Sequence, residues 1–338
     1  MTLLLVAALV GILFYGRTSP PPLPNPNGYH DLTKAGQAVR GDLDGLADRD
    51  LGGLRVLVAT NAEALRLLRV GLSRNCSVPT DEAIANFCGA SRDLIALKSL
   101  ARLLNAEGRL AELENRPTDA AQSYLDAMRL GTKMCHGGLM INRLVGIACE
   151  GFGSISFVKL LPKLTCDQMR PLIEQLERID RQAVAWKEVL RNEDRFVRAQ
   201  MGNPPNPIKL ASDLWNSRNT RRACEERHDL AAAHRRLLTV ELALRSYQCD
   251  EGKALAGVQG LLPKYLHRMP IDPFTGHQLV YKQTGTNWLL YSVGPDRADD
   301  GGKPVGKIIS GDYLVDFGVT KSGDGQKNKG DVLYDSPW

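Results

Sequence analysis

The sequence lacks the short motifs that mark most enzymes. Its 338 residues contain no G-x-S-x-G, no H-E-x-x-H, no Walker loop and no dinucleotide fingerprint followed by the required strand and helix. The six histidines are dispersed, and none forms a pair at catalytic or metal-ligand spacing. We therefore predict a non-enzymatic protein with no identified small-molecule substrate. The alternative is an enzyme of unidentified class whose active site is assembled in the helical domain.

The sequence also lacks a strong excess of charge of either sign. It has 43 Lys and Arg against 38 Asp and Glu, a formal net charge of +5, and the two signs are interleaved along the chain. This pattern is typical of a solvated, slightly basic surface and argues against a nucleic-acid partner. A hydrophobic content of 43% is ordinary for a folded protein.

The seven cysteines contain no C-x-x-C and no Cys/His pairs at zinc spacing, which argues against a metal knuckle. If the body lies outside the cytoplasm, two disulfide pairs are expected: Cys76 with Cys88, and Cys224 with Cys249. The odd total leaves at least one cysteine unpaired. Three others lie on apolar helix faces, where buried free thiols are an equally good interpretation: Cys135, Cys149 and Cys166.

A long hydrophobic run is missing too, since Leu3–Tyr15 is only about 13 residues against the ~20 needed to cross a bilayer. The length favours a signal peptide, but no basic residue precedes the run and no small-x-small cleavage site follows it. We interpret residues 1–17 as a short, uncleaved membrane anchor, with a signal segment as the alternative. The bulk of the chain is then expected to be extracytoplasmic, in a periplasm or at the cell surface.

Proline, by contrast, is concentrated in Ser19–Asn27, which has five prolines in nine residues. Such a segment favours the extended polyproline conformation. The linker at 18–29 is therefore expected to be a stiff stalk that holds a folded body off the membrane. A disordered leader is the alternative.

Residues 30–201 have apolar positions recurring at three and four, which predicts an all-helical domain. Pro117 and the capping box formed by Thr165 and Gln168 indicate helix starts. The Pro/Asn-rich segment at 202–225 is expected to end this domain and to connect it to the next.

One helical pair in this domain, at about 101–134, has small residues where two antiparallel helices would touch and a tyrosine to fill the groove between them. The positions are Leu104, Gly108, Ala111, Ala120, Tyr124 and Ala127. Their spacing resembles one tetratricopeptide repeat. The resemblance implies a helical, repeat-like body that contacts protein partners. An ordinary helical hairpin in a bundle is the alternative, because no second copy follows.

The pattern of apolar residues at 226–317 predicts a helix packed on a small antiparallel sheet. His228–Gln248 is amphipathic, with an apolar stripe of Leu237, Val240, Leu244 and Tyr247. The residues expected to face away from the stripe are Arg235, Arg236, Glu241 and Arg245. Strands are predicted at 278–283, 287–293 and 312–317. The tail at 318–338 is expected to be loose or to dock as a single edge strand. The fold class is α+β.

Several short sequence words follow this helix in order: L-L-P-x-Y-L at 261–266, P-x-D-P-F-x-G at 270–276 and L-Y-S-x-G-x-D at 290–296. With the Asp-Gly-Gly that follows them, they resemble the globular domain of the major (G-type) pseudopilin of type II secretion, over roughly 85 residues. That resemblance implies a link to secretion or cell-surface assembly. The chain departs from the family because some 200 residues precede the module and the processed N-terminal helix motif is missing.

In that family the loop before the last strand binds a calcium ion. Carried over by position, the resemblance implies four metal ligands: Asp296, Asp299, Asp300 and Asp312. A hard cation binds six to eight oxygens, and clustered carboxylates repel one another without an ion. A polar turn without metal is the alternative, because Lys303 and Lys307 partly offset the charge of the loop.

Overall fold

The computed structural model describes residues 21–46, 49–80, 87–200, 207–303 and 332–333. Several predicted features lie outside these ranges: the anchor Leu3–Tyr15, residues 202–206 of the connector, the strand at 312–317, the ligand Asp312 and most of the tail at 318–338. The described chain is mostly helical with a small antiparallel sheet, which confirms the α+β class.

Nine α-helices lie within the described residues. In chain order they are α1 (Gly28–Gln37), α2 (Leu51–Thr60), α3 (Ala62–Ser73), α4 (Phe87–Leu113), α5 (Pro117–Lys133), α6 (Met140–Leu160), α7 (Cys166–Gln182), α8 (Trp186–Gln200) and α9 (Pro207–Glu251). Pro117 begins α5, and the Thr165 capping box begins α7, with the backbone N–H of Thr165 donating to the Gln168 amide oxygen at 2.9 Å. Both predicted helix starts are confirmed.

The predicted contact between α4 and α5 is present. Tyr124 on α5 is 1% exposed, and its ring lies where a Cβ on Gly108 would be. Only glycine at position 108 lets the ring approach the α4 backbone this closely. Its hydroxyl donates to the Glu112 carboxylate at 2.5 Å, so the one polar atom of a buried ring is satisfied.

Two hydrophobic cores hold the described chain together. The first joins α1, α2, α3 and α4 to parts of α5 and α6. The second joins α5, α6 and α7 to α9 and to the segments that follow it. Apolar residues of the helical body and of the end module therefore belong to the same core.

Helix α9 is much longer than predicted, because it begins at Pro207 rather than near His228. At 1.5 Å per residue, its 45 residues span about 68 Å. Residues 207–225, predicted as a connector, are thus helical. Arg235 and Glu241, predicted to face away, are 1% and 2% exposed. The reason is that α9 packs on α6 and α7 as well as on the sheet, so more than one of its faces is covered.

The sheet has the order β1-β2-β3, with β1 at Val280–Thr284, β2 at Asn287–Ser292 and β3 at Val332–Leu333. Thr284 pairs with Asn287, so the β1–β2 hairpin closes through a two-residue turn in which Gly285 has a φ of +63°. β3 pairs antiparallel with β2. It comes from the C-terminal tail, in agreement with the predicted docking of the tail as an edge strand.

Among the described residues, one helix is long and apolar enough to cross a membrane by length and composition, at Met140–Lys163. Of its most apolar 18 residues, 61% are buried inside the protein. This helix contains α6, which contacts α5, α4 and α9, so its apolar surface is used in packing.

Candidate functional site

The aspartate loop follows β2 and is tied to the sheet through Asp299. One Asp299 carboxylate oxygen accepts from the Tyr291 hydroxyl at 2.6 Å and from the Gly301 backbone N–H at 2.9 Å. The Lys282 ammonium lies 3.8 Å from the other oxygen and also donates to Tyr291 at 2.6 Å. The hydrogen bond from Tyr291, followed by that from Gly301, holds the pKa of Asp299 below its usual range.

The other predicted ligands are divided between this loop and the part of the chain that is not described. One carboxylate oxygen of Asp296 accepts from the backbone N–H of Ala298 at 3.2 Å, as in a local turn. Asp300 follows Asp299 in the same loop, and Asp312 lies outside the described residues. Within the described ranges, no three acidic, histidine or cysteine side chains form a group that could hold a metal ion. Calcium therefore stays a prediction.

A different aspartate, Asp272, organises the module. It is fully buried, and its two carboxylate oxygens accept backbone N–H groups from Phe274 at 2.9 Å and from Val293 at 3.0 Å. The loop at 270–276 is thereby fastened to the end of β2. Two of the sequence words that carry the pseudopilin resemblance are joined by this one side chain. Its position before Pro273 signalled a turn, but nothing local indicated the contact with Val293.

A buried ion network connects α6 to α9. One oxygen of the Glu150 carboxylate accepts from Arg143 on the same helix, and the other accepts from Arg235 on α9, both at 2.5 Å. The side chains of all three residues are 2% exposed or less. Because two guanidinium groups share one carboxylate, Glu150 supplies the countercharge for both arginines at the centre of the protein.

The network continues toward the end module. Arg235 reaches Asp180 on α7 at 3.3 Å, and Asp180 also accepts from Arg236 at 3.1 Å. Arg236 then donates to the backbone carbonyl of Ile271 at 2.9 Å. A line of charged groups thus runs from α6, through α9 and the end of α7, to the loop fastened by Asp272. The amphipathic pattern of α9 gave no sign of it.

His228 lies at one end of this network. Its Nδ1 accepts from Arg143 Nε at 2.9 Å, and its ring is 5.6 Å from the Trp186 ring. Burial, and then the positive charges of Arg143, Arg235 and Arg236, lower the pKa of His228 to about 2. The imidazole is therefore neutral in the folded protein over the whole physiological pH range.

We expect His228 to make the fold acid-sensitive. The pKa of His228 is about 6.5 in the unfolded chain. Below pH 6.5 the imidazole is therefore protonated in the unfolded state and stays neutral in the folded state. The contribution of the neutral His228 to the free energy of unfolding is complete above pH 6.5, and it falls by up to about 1.4 kcal/mol for each pH unit below that value. His228→Asn keeps an acceptor for Arg143 without titrating. Urea unfolding at pH 7.5, 6 and 5 should show that the difference in unfolding free energy between the wild type and this variant becomes smaller as the pH falls.

The matched control for that experiment is His30→Asn, because His30 is an exposed histidine on α1. We expect the free energy of unfolding of this control to follow that of the wild type at every pH. A constant difference between wild type and His228→Asn from pH 7.5 to 5 would contradict the assignment of a neutral, buried imidazole.

One disulfide, Cys166–Cys249, joins the start of α7 to the end of α9. Neither predicted pair is formed, because Cys249 bonds to Cys166, and both Cys76 and Cys224 are free and buried. The side chain of Cys88 lies outside the described residues. Helix packing decides the pairing, since α7 and α9 run side by side and bring the two Cα atoms within 6.0 Å.

Of the three cysteines interpreted as buried free thiols, Cys135 and Cys149 are confirmed. The interpretation is wrong for Cys166, because that residue forms the disulfide. Burial raises the pKa of Cys135, and likewise that of Cys76, to about 11. Both therefore stay protonated near neutral pH and are poor nucleophiles for thiol exchange.

Further polar contacts fix the module to α7. Glu177 accepts the backbone N–H of His267 at 3.0 Å, and its other oxygen contacts the His267 ring at 2.5 Å. Asp250, beside the disulfide, pairs with Arg170 of α7 and accepts from the Tyr265 hydroxyl at 2.7 Å. The module is thus held to the body by a covalent bond, a shared core and several polar contacts.

Comparisons with models of known protein families, with curated proteins and with solved structures find no match to this chain.

Proposed function

We propose that this chain is a non-enzymatic, membrane-anchored, extracytoplasmic protein whose helical body contacts protein partners and carries a pseudopilin-like end module. Its role would lie in secretion or in cell-surface assembly. Filament assembly by the pseudopilin route is not part of the proposal, because a large helical body precedes the module. The anchor would be Leu3–Tyr15.

The observation that carries the proposal is the Cys166–Cys249 disulfide. Structural disulfides form and persist in oxidising compartments and are rare in the cytosol. This one closes a separation of 83 residues between the body and the long helix of the module. An extracytoplasmic location accounts for such a bond, whereas a reducing cytosol would remove it.

The arrangement of the module is consistent with the pseudopilin resemblance. Helix α9 packs on β2, and the predicted hairpin of β1 and β2 precedes the aspartate loop. Contacts of the body with protein partners are supported by exposed apolar side chains on α2 and α4, two helices that pack together. Val56 and Ile95 are each 68% exposed, the highest exposure among the large apolar side chains of the described chain.

Cell fractionation tests this function, with a variant lacking residues 1–17 as the matched control. We expect the full chain in the membrane fraction, open to protease added outside the cytoplasmic membrane. The truncated variant should be released as soluble protein. A photoreactive residue placed at Val56 or Ile95 should give a discrete cross-linked protein band, and the same residue at exposed Arg178 should give none. Recovery of the full chain as a soluble cytoplasmic monomer would refute the proposal.

Calcium binding by the aspartate loop is the second part of the proposal and is tested by isothermal titration of the full chain. If the four predicted ligands Asp296, Asp299, Asp300 and Asp312 hold the ion, Lys282 competes with it for Asp299. We then expect Lys282→Gln to tighten calcium binding and Asp296→Asn to weaken it, each by about tenfold for a change near 1.4 kcal/mol. No heat of binding in wild type or in Lys282→Gln would refute the calcium site.

A further inference from the structure

A pocket of about 380 Å³ is lined entirely by residues of the helical body. Helix α4 contributes Asn105 and Arg109 to its lining, α6 contributes Ser156 and Lys159, and Leu46 forms an apolar side. The volume lies in the range of roughly 300–1,000 Å³ that is usual for pockets holding small organic ligands.

The pocket has an excess of positive charge. Three cations line it, against the single carboxylate of Glu112. Both oxygens of that carboxylate are already engaged, one by the Tyr124 hydroxyl at 2.5 Å and the other by Lys163 at 2.7 Å. Across the ranges that the structure describes, neither Arg109 nor Lys159 forms an ion pair. Two positive charges at the pocket are therefore uncompensated.

The hydroxyl of Ser156 lines the same pocket. The side-chain amide of Asn105 donates to the Phe152 carbonyl at 2.8 Å and to the Ser156 hydroxyl oxygen at 2.7 Å. Because Ser156 accepts this bond through its oxygen, and has no acceptor for its own proton in the described chain, its O–H is available to a ligand. Asn105 orients this hydroxyl from a partly buried position.

We propose that this pocket binds a small organic phosphate monoester. Such a group carries a charge of about −1.5 to −2 near neutral pH, which matches the two uncompensated cations. The guanidinium of Arg109 can donate two parallel hydrogen bonds to phosphate oxygens, and Lys159 adds a point charge. Ser156 donates to a further oxygen, and Leu46 contacts the organic part of the ligand. The proposal is independent of the membrane anchor and of the calcium loop.

Isothermal titration of the detergent-solubilised full chain with glycerol phosphate tests the pocket, with glycerol and acetate as uncharged and singly charged probes. We expect saturable binding of glycerol phosphate at one site, weaker at high salt, and no binding of glycerol. Combined Arg109→Gln and Lys159→Gln substitution should weaken binding at least tenfold, and Ser156→Ala should weaken it a few-fold.

The matched control combines Arg178→Gln and Lys187→Gln, two exposed cations on other helices that give the same change in net charge. We expect this control to bind glycerol phosphate as the wild type does. Because Arg109 and Lys159 are exposed at the pocket mouth, their variant should keep the wild-type melting temperature. The absence of saturable binding, or an equal loss of affinity in both double variants, would overturn the proposal.

Discussion

Replacing Glu150 by alanine is expected to lower the free energy of unfolding by about 3–5 kcal/mol, a large part of the stability of an ordinary domain. The substitution leaves Arg143 and Arg235 without their shared countercharge, and both are almost fully buried. Arg235 keeps its pair with Asp180 at 3.3 Å, but Arg143 Nη2 and Arg235 Nε already lack a hydrogen-bond partner within the described structure, so neither nitrogen has an unused acceptor within reach. Urea unfolding near neutral pH measures the loss.

Two variants control this result. Glu174→Ala removes an exposed carboxylate on α7 and should change the unfolding free energy by less than about 0.5 kcal/mol. Glu150→Gln keeps acceptor capacity for one arginine and should fall between wild type and Glu150→Ala. A loss below about 1 kcal/mol for Glu150→Ala would show that water or a side-chain rearrangement compensates the arginines, and would contradict the buried network.

Removing the disulfide has the second largest expected effect. In the chain-entropy account, a bond that closes a separation of 83 residues stabilises the fold by up to about 4–5 kcal/mol, and 2–5 kcal/mol is the usual measured loss. Combined Cys166→Ser and Cys249→Ser substitution should therefore lower the melting temperature by several degrees. Both the body and the module should unfold at the lower temperature, since the bond joins α7 to α9.

Reductant provides the matched control for that experiment. Treatment of the wild type should lower its melting temperature to that of the double variant, and the same treatment should leave the variant unchanged. A shift of the variant on reduction would point to another bond, such as one involving Cys88. Equal melting temperatures of untreated wild type and variant would contradict a stabilising role for Cys166–Cys249.

The parts of this fold that the sequence predicts are those determined by neighbours in the chain. A capping box needs only Thr165 and a residue three positions on, and the β1–β2 hairpin needs only its turn and alternating pattern. The α4–α5 contact is also local, because Gly108 and Tyr124 are separated by one short connection. Each of these features can be inferred without knowing how distant segments pack.

The features that the sequence did not predict depend on distant segments. The pattern of α9 predicts Arg235 on its solvent face, because a helix with one apolar stripe is normally covered on one side. Here α6 and α7 cover a second side, so Arg235 meets Glu150 across 85 positions of sequence. Closeness in sequence favours a pair between Cys249 and Cys224, but both lie on the single helix α9, and the packing of α9 on α7 brings Cys249 to Cys166 instead.

In the candidate site, too, the sequence predicts what neighbours in the chain determine and does not predict contacts with more distant segments. The sequence placed Asp296, Asp299 and Asp300 in one loop, which the structure describes, but it gave no sign that Tyr291 and Lys282 would engage Asp299. It also gave no sign that Asp272, in a different word of the module, would fasten the neighbouring loop to β2. Cross-strand and loop-to-strand contacts of this kind follow from the register of the sheet.

Mapping of the cysteines in protein isolated from cells without reductant determines whether Cys166 and Cys249 are joined in the cell. Free thiols are blocked during denaturation, the chain is digested, and the peptides are identified by mass spectrometry in membrane and soluble fractions. We predict that Cys166 and Cys249 are recovered as one disulfide-linked peptide pair from the membrane fraction, with Cys135 and Cys149 blocked as free thiols. Recovery of Cys166 and Cys249 as blocked free thiols, in a soluble cytoplasmic fraction, would contradict an extracytoplasmic protein whose module is covalently joined to its body.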